Sequence, residues 1–176
     1  MGRAASGRTV TRHWADALVN REALDAYYTA VPPLSGAVLR SLHLDRHGPS
    51  VVLRLDLPAF PDRPEPEWTG AGADRFECHV AFLDVADVRL AGPLAGGPVD
   101  VTLETAPPEG RRLAVALTRR DGAGTGRFTA NASLRVGHLA AHGGTPDSYR
   151  FAGRVDRIRL RGGLPDTTDR AFYERL

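Results

Sequence analysis

The stretch "LRLDLPAFPDRPEPEW" at residues 53–68 decides the fold of this chain. It begins with leucines that alternate with charged residues, which is the period of a strand with one buried face. Four prolines follow from Pro58 to Pro66, and no strand interior or helix tolerates that density. Phe60 and Trp68 nevertheless lie inside this run, and burial of each would stabilise a fold by about 1.5 to 3 kcal/mol. We therefore expect a crossover loop, stiffened by proline and anchored to the domain by Phe60 and Trp68.

Alternating segments on both sides of this loop predict an antiparallel β fold. Residues 38–45 and 50–57 flank a Gly48-Pro49 turn, which predicts a hairpin. Further strand patterns recur along the chain with Gly, Pro or Asp clusters between them, and residues 127–136 read as one strand. We predict an α+β fold that is mostly β, as an antiparallel sandwich or a strongly bent sheet of about 7–9 strands.

Helical periodicity is confined to the two ends of the chain. Trp14, Leu18, Leu24 and Tyr28 predict an N-terminal helical segment packed on the sheet, as one broken helix or two short ones. Asn20 is the expected N-cap of its second part. Three regions follow: a flexible tail at 1–10, a single β-rich domain at 11–142, and a C-terminal extension at 143–176.

The extension predicts one more strand and a short helix. Apolar residues between arginines at 150–161 favour a last, partly exposed strand, and Asp166 or Thr168 could cap a helix after it. The arginines of this segment either bind anions as a stripe on one face or protect a solvated edge strand from aggregation by their charge. We favour the second interpretation. They are Arg154, Arg157, Arg159 and Arg161. We expect a chain that ends near Gly143 to stay folded.

Composition limits the classes of function. All 23 basic residues are arginine, yet 21 acidic residues leave a net charge of only +2, which argues against a broad nucleic-acid-binding face. The N-terminus lacks the apolar core of a signal peptide, and no apolar run reaches the length of a membrane span. We expect a cytoplasmic protein with no nucleic-acid or membrane partner.

A search for catalytic chemistry finds no motif. The glycines at 122–126 precede no helix or lysine, so they predict a hairpin turn and no phosphate loop. His138 and His142 could share a helix face, but no metal-ligand pattern accompanies them. Cys78 lies on the apolar side of a strand pattern with Phe76 and is expected to be a buried small hydrophobe. We predict no catalytic, cofactor-binding or metal-binding residue.

The motifs of the chain resemble a bacterial family. The N-terminal block contains a Trp-Leu-Asn-Leu-Tyr spacing and a Pro-Pro-Leu end at residues 32–34. The Gly48-Pro49 hairpin, the proline loop and "FECHVAFLDVADVRLAG" follow in the order of the family pattern. From about Trp14 to His138 the sequence resembles the immunity protein 50 family of polymorphic toxin systems. The resemblance implies a protein that neutralises a toxin encoded nearby, and it implies no catalytic residues.

Three functions remain open at this point. The leading one is an immunity protein that covers a cognate bacterial toxin domain without catalysis. The loop carboxylates Asp62, Glu65 and Glu67 are our candidates for the contacts, because the prolines around them fix their positions. The first alternative is a small-ligand or carbohydrate-binding β-sandwich, which would need a concave aromatic-lined pocket. An enzyme of unfamiliar type is the second.

Overall fold

The alternating segments form one antiparallel sheet of ten strands in the computed structural model, which describes residues 10–106 and 111–160. The strands are β1 (Thr11–Arg12), β2 (Ser35–Asp45), β3 (Ser50–Asp56), β4 (Arg75–Leu83), β5 (Ala86–Ala91), β6 (Gly97–Ala106), β7 (Arg112–Arg119), β8 (Thr125–Asn131), β9 (Leu134–His142) and β10 (Arg150–Phe151). Their order across the sheet is β10-β9-β4-β3-β2-β6-β7-β8-β5, and β1 pairs with β6. The predicted hairpin is confirmed, since Asp45 of β2 lies opposite Ser50 of β3.

The sheet is strongly bent. β4 and β8 are five positions apart in the strand order, which would separate them by about 24 Å in a flat sheet. Phe82 of β4 and Phe128 of β8 nevertheless meet edge to face, with ring centroids 5.1 Å apart. One continuous bent sheet therefore wraps around the core, with ten strands where about 7–9 were expected, and two of these strands have only two residues.

The connection between β8 and β9 corrects one expectation. Residues 127–136 were expected to form a single strand, but the chain turns at Ala132 and Ser133. The Asn131 side chain accepts a hydrogen bond from the Ser133 amide at 3.0 Å, a local bond that favours a turn over a continuing strand. β9 then pairs with β4 instead of β8. Two strands far apart in the sheet order are thus joined by two residues, as the bend requires.

The N-terminal segment packs on the sheet without forming a long helix. It contains a 3₁₀ turn at Trp14–Ala17 and one short helix, α1 (Glu22–Asp25). Trp14, Leu24 and Tyr28 are buried in the core. The prediction that Asn20 caps the second part is wrong, because its side chain instead bonds both backbone groups of Val136, at 2.7 and 3.0 Å. Asn20 ties this segment to β9.

The C-terminal segment contains little strand. β10 pairs with β9, and a helix, α3 (Arg154–Arg159), follows it. The prediction of a strand through 154–160 is wrong because Leu160 packs on Val52 and Ala81, which favours a helical turn above the sheet. Arg154, Arg157 and Arg159 therefore lie on a helix. Arg161 and the predicted helix at 166–176 lie outside the described residues, as does nearly all of the predicted tail.

No helix in the described part of the chain is long and apolar enough to span a membrane.

Candidate functional site

The proline loop lies against the body of the domain. It leads into a second short helix, α2 (Pro66–Gly70). Pro66 occupies the first helical position, where proline is favoured. Trp68 of this helix is fully buried, with ring centroids 4.8 Å from Tyr27 and 5.5 Å from Phe76. Phe60 is partly buried against the same core. The two predicted anchor residues therefore both contact the apolar core, Trp68 more completely.

Hydrogen bonds join the loop to the N-terminal segment. The Arg63 amide donates to the Tyr27 carbonyl at 3.0 Å, and the Arg63 guanidinium donates to the Tyr28 carbonyl at 2.6 Å. The Tyr28 hydroxyl in turn donates to the Ala59 carbonyl at 2.7 Å. The loop and the N-terminal segment thus each donate hydrogen bonds to the other, so the loop has a defined position despite its length.

The three loop carboxylates differ in how far they are bonded within the domain. The two carboxylate oxygens of Asp62 share the single N–H of the Thr29 amide, at 2.9 and 3.1 Å, and hydrogen bonding by Thr29 holds the pKa of Asp62 below its ordinary value. Glu65 accepts from the Tyr27 hydroxyl at 3.1 Å and from Arg157 at 2.8 Å. Glu67 lies 4.0 Å from Arg150, and its side chain is 62% exposed. Glu67 is thus the carboxylate most available to a partner.

A second group of polar residues is buried on the sheet, and the sequence search missed it. Arg54 of β3 donates to Glu77 of β4 at 2.6 Å, and the Glu77 side chain is only 1% exposed. The neighbouring Asp56 is paired with Arg40 and lies 3.0 Å from Nε2 of His142. Because Nδ1 of His142 accepts from the Gly144 amide at 3.1 Å, the proton lies on Nε2 and is donated to Asp56. We call these five residues the buried polar cluster.

The segment before β10 covers this cluster. The Tyr149 hydroxyl donates to Glu77 at 2.8 Å, and its ring stacks on His142 at 4.3 Å between centroids. Arg54 also donates to the Tyr149 oxygen at 3.2 Å. Burial raises the pKa of Tyr149, so the phenol stays protonated and remains a donor to Glu77. The cluster is therefore closed from the solvent side by one aromatic side chain.

Paired charges keep both carboxylates ionised despite their burial. Burial by itself would raise the pKa of Glu77, but the adjacent His79 and Arg54 outweigh it and hold the pKa below its ordinary value. Burial likewise acts to raise the pKa of Asp56, and the bonds with His142 and Arg40 lower it below its ordinary value. A buried ion pair of this kind needs all its partners, because removing one leaves an uncompensated charge.

The cluster has metal-ligand types but also its own counter-charges. Ligand atoms of Asp56, Glu77 and His142 lie within 4.8 Å of one another, and such atoms suit a divalent metal. Each carboxylate, however, already bonds an arginine, so two positive charges balance two negative ones. A divalent cation would have to displace Arg40 and Arg54 or be repelled by them. The arrangement is better suited to stabilising the sheet than to holding a metal.

The two histidines singled out by their spacing lie on a strand. His138 and His142 both belong to β9, not to a helix. His138 contacts Asp156 of α3 at 3.1 Å, whereas His142 bonds Asp56. Residues 134–142 form a strand and not a helix because their backbone groups pair with those of β4. The two side chains therefore serve different partners.

Only a weak signal in the sequence pointed to the buried polar cluster. Glu77 and His79 alternate with the apolar residues of β4, which is the pattern of a strand with one solvated face. Residues 76–82 are instead buried on both faces. Arg54 and Asp56 show the same alternation on β3. Opposite charges on two predicted neighbouring strands could have indicated the pairing, but the covering Tyr149 is 72 residues from Glu77.

Comparison with known proteins identifies a family that resembles part of the chain. Residues 20–102 match the family model described as Immunity protein 50. Over this segment, slightly less than half of the chain, the sequence is similar to the immunity protein 50 family. The matched segment contains α1, the β2–β3 hairpin, the proline loop, β4 and β5, and it ends within β6. It is shorter than the expected resemblance from Trp14 to His138. No curated protein and no solved structure is significantly similar to the chain.

Proposed function

We propose that the protein is an immunity protein that binds a toxin domain encoded nearby and neutralises it by steric occlusion, without catalysis. The observation that carries the proposal is the immunity protein 50 match over residues 20–102. That segment includes the whole proline loop. A loop fixed on a sheet scaffold is a common place for recognition.

The chemistry of the described residues supports binding over catalysis. The buried polar cluster is covered by Tyr149, so a substrate could not reach its carboxylates without displacing that ring. Burial raises the pKa of the Cys78 thiol, which keeps it protonated and a poor nucleophile. Occlusion of a toxin needs a stable surface of defined shape and no reactive group.

We propose the proline loop as one contact surface, with Asp62, Glu65 and Glu67 as its charged residues. Asp62 and Glu65 are held by Thr29 and Tyr27, so they would lose little side-chain entropy on docking. Glu67 is exposed and offers its charge to a basic residue of the toxin. Complementary charge of this kind accelerates encounter and is weakened by salt.

The experiment is a titration of the purified protein with the toxin domain encoded beside it, in low and high salt. We expect binding in both conditions, with slower association in high salt. A triple variant of Asp62, Glu65 and Glu67 to Ala should associate more slowly, and Asp74→Ala, an exposed carboxylate outside the loop, serves as the control. No binding by the unaltered protein would contradict the immunity function. Unchanged binding by the triple variant would contradict only the surface.

A further inference from the structure

Part of the outer face of the sheet is left uncovered by the rest of the described chain. On β3 and β4 the outer face is covered by Tyr149 and Leu160. On β5 to β8 the outer face forms an open groove of about 400 Å³. Its floor is Ala114 and Ala116 of β7, with Glu104 on the β6 side. Small side chains on the central strand leave room there for a segment of another molecule.

The far wall of this groove carries two arginines in an unfavourable arrangement. Arg89 of β5 and Arg127 of β8 are direct cross-strand partners, and both are exposed. Like charges that face each other on neighbouring strands destabilise a sheet. Neither arginine forms an ion pair with any described residue. Ten other arginines of the described ranges lie within 4.0 Å of a carboxylate. Arg46 and Arg135 are exposed and without such a partner among the described residues too, but Arg89 and Arg127 differ from them because they are also cross-strand neighbours of each other.

We propose that the groove over β7 is a second docking surface, which binds an acidic protein segment through Arg89 and Arg127. Carboxylates of the partner would supply the counter-charges that the chain itself does not place there, and guanidinium groups bind carboxylates in a bidentate manner. The inference deepens the proposed function, on which it rests for the identity of the partner as the toxin domain. It concerns a different face from the proline loop.

The charges of the groove favour a protein segment over a nucleic acid. Glu104 and Asp87 line the same groove as the two arginines. A phosphate backbone carries a negative charge at every step and is bound through several basic contacts, so these carboxylates would repel it. A protein segment can place carboxylates at Arg89 and Arg127 and a neutral or basic side chain at Glu104. The presence of both positive and negative side chains in the groove therefore favours a protein segment whose charges alternate to match them.

The test compares three fluorescent probes at low salt: an alternating Glu-Thr peptide, a Gln-Thr peptide of the same length, and a thymidine oligonucleotide. The variant is Arg89→Gln with Arg127→Gln. The matched control is Arg46→Gln with Arg135→Gln, which removes the same charge from two exposed arginines elsewhere. Thermal melts accompany the binding curves, and we expect the groove variant to melt no lower than the unaltered protein because a repulsive pair is removed.

We expect the Glu-Thr peptide to bind more tightly than the other two probes, and the groove variant to weaken it by about tenfold while the control does not. Equal losses in both variants, no preference for glutamate, or tighter binding of the oligonucleotide would each overturn the proposal. So would a lower melting temperature of the groove variant, since it would assign the arginines a structural role.

Titration of the same variants with the neighbouring toxin domain separates the two proposals. If the unaltered protein and the groove variant bind the toxin equally well, the groove proposal is overturned and the immunity function is supported. If the glutamate peptide needs Arg89 and Arg127 but the unaltered protein does not bind the toxin, the immunity function is contradicted while the docking surface is supported.

Discussion

At the scale of single residues, the Arg54–Glu77 pair is a point where one substitution leaves a buried charge unpaired. Glu77→Leu leaves the Arg54 charge buried without its counter-charge, so we expect it to lower the free energy of unfolding by about 3–5 kcal/mol. Arg54→Met combined with Glu77→Leu removes both charges and should cost less than Glu77→Leu alone. Urea denaturation of the unaltered protein, Arg54→Met, Glu77→Leu and the double variant measures this. A double variant as unstable as the sum of the single ones would show that the pair is not coupled.

The same cluster predicts how stability depends on pH. The pKa values of Glu77 and Asp56 are lowered in the folded protein, so the unfolded chain takes up protons first as the pH falls. Their contribution to stability is therefore present above the pKa values of the unfolded chain and is lost as the pH falls through the lower folded values. Burial lowers the pKa of His79, so its effect has the same sign and begins near the ordinary pKa of histidine in the unfolded chain, about 6.5.

Urea unfolding at a series of pH values tests this expectation. The free energy of unfolding should decline from about pH 6.5 downward and more steeply below about pH 4.5. Glu77→Gln, although less stable at neutral pH, should show a shallower decline in the lower range. A free energy of unfolding that stays constant across both pH ranges would contradict the assignment of Glu77 and Asp56 as ionised and of His79 as neutral.

At the scale of elements, the proline loop is held chiefly by Trp68. Its ring contacts Tyr27 and Phe76, so we expect Trp68→Ala to lower stability by about 3–5 kcal/mol. Trp68→Phe keeps an aromatic side chain in the core and should cost less. Thermal melts of both variants provide the measurement. An unchanged melt for Trp68→Ala would show that the loop is free of the domain.

The elements also show where sequence patterns are informative. The β2–β3 hairpin was predictable because its alternation and its Gly48-Pro49 turn are local. The short helix α3 was not, because its arginine-rich pattern fits either period and contacts with Val52 and Ala81 decide between them. The uncovered groove was equally hidden, since the Arg89–Arg127 pairing depends on which strands become neighbours.

At the scale of the whole molecule, the C-terminal segment completes the sheet. The boundary near residue 143 was predicted to separate an addition from a folded domain. Phe151 is buried, however, and Tyr149 closes the buried polar cluster. We now expect a chain ending at Gly143 to be less stable than the full chain, because Glu77 loses a hydrogen bond and its cover. Melting both proteins tests this, and equal melting temperatures would support the original boundary.

The central claim is that the protein blocks a toxin by covering it, and a stoichiometric titration tests this most directly. The activity of the neighbouring toxin domain is measured while the protein is added in steps, at several toxin concentrations. Occlusion without catalysis predicts a linear loss of activity that ends at one fixed molar ratio of protein to toxin. Full activity at every ratio, or complete loss at a ratio that keeps falling with incubation time, would contradict the account.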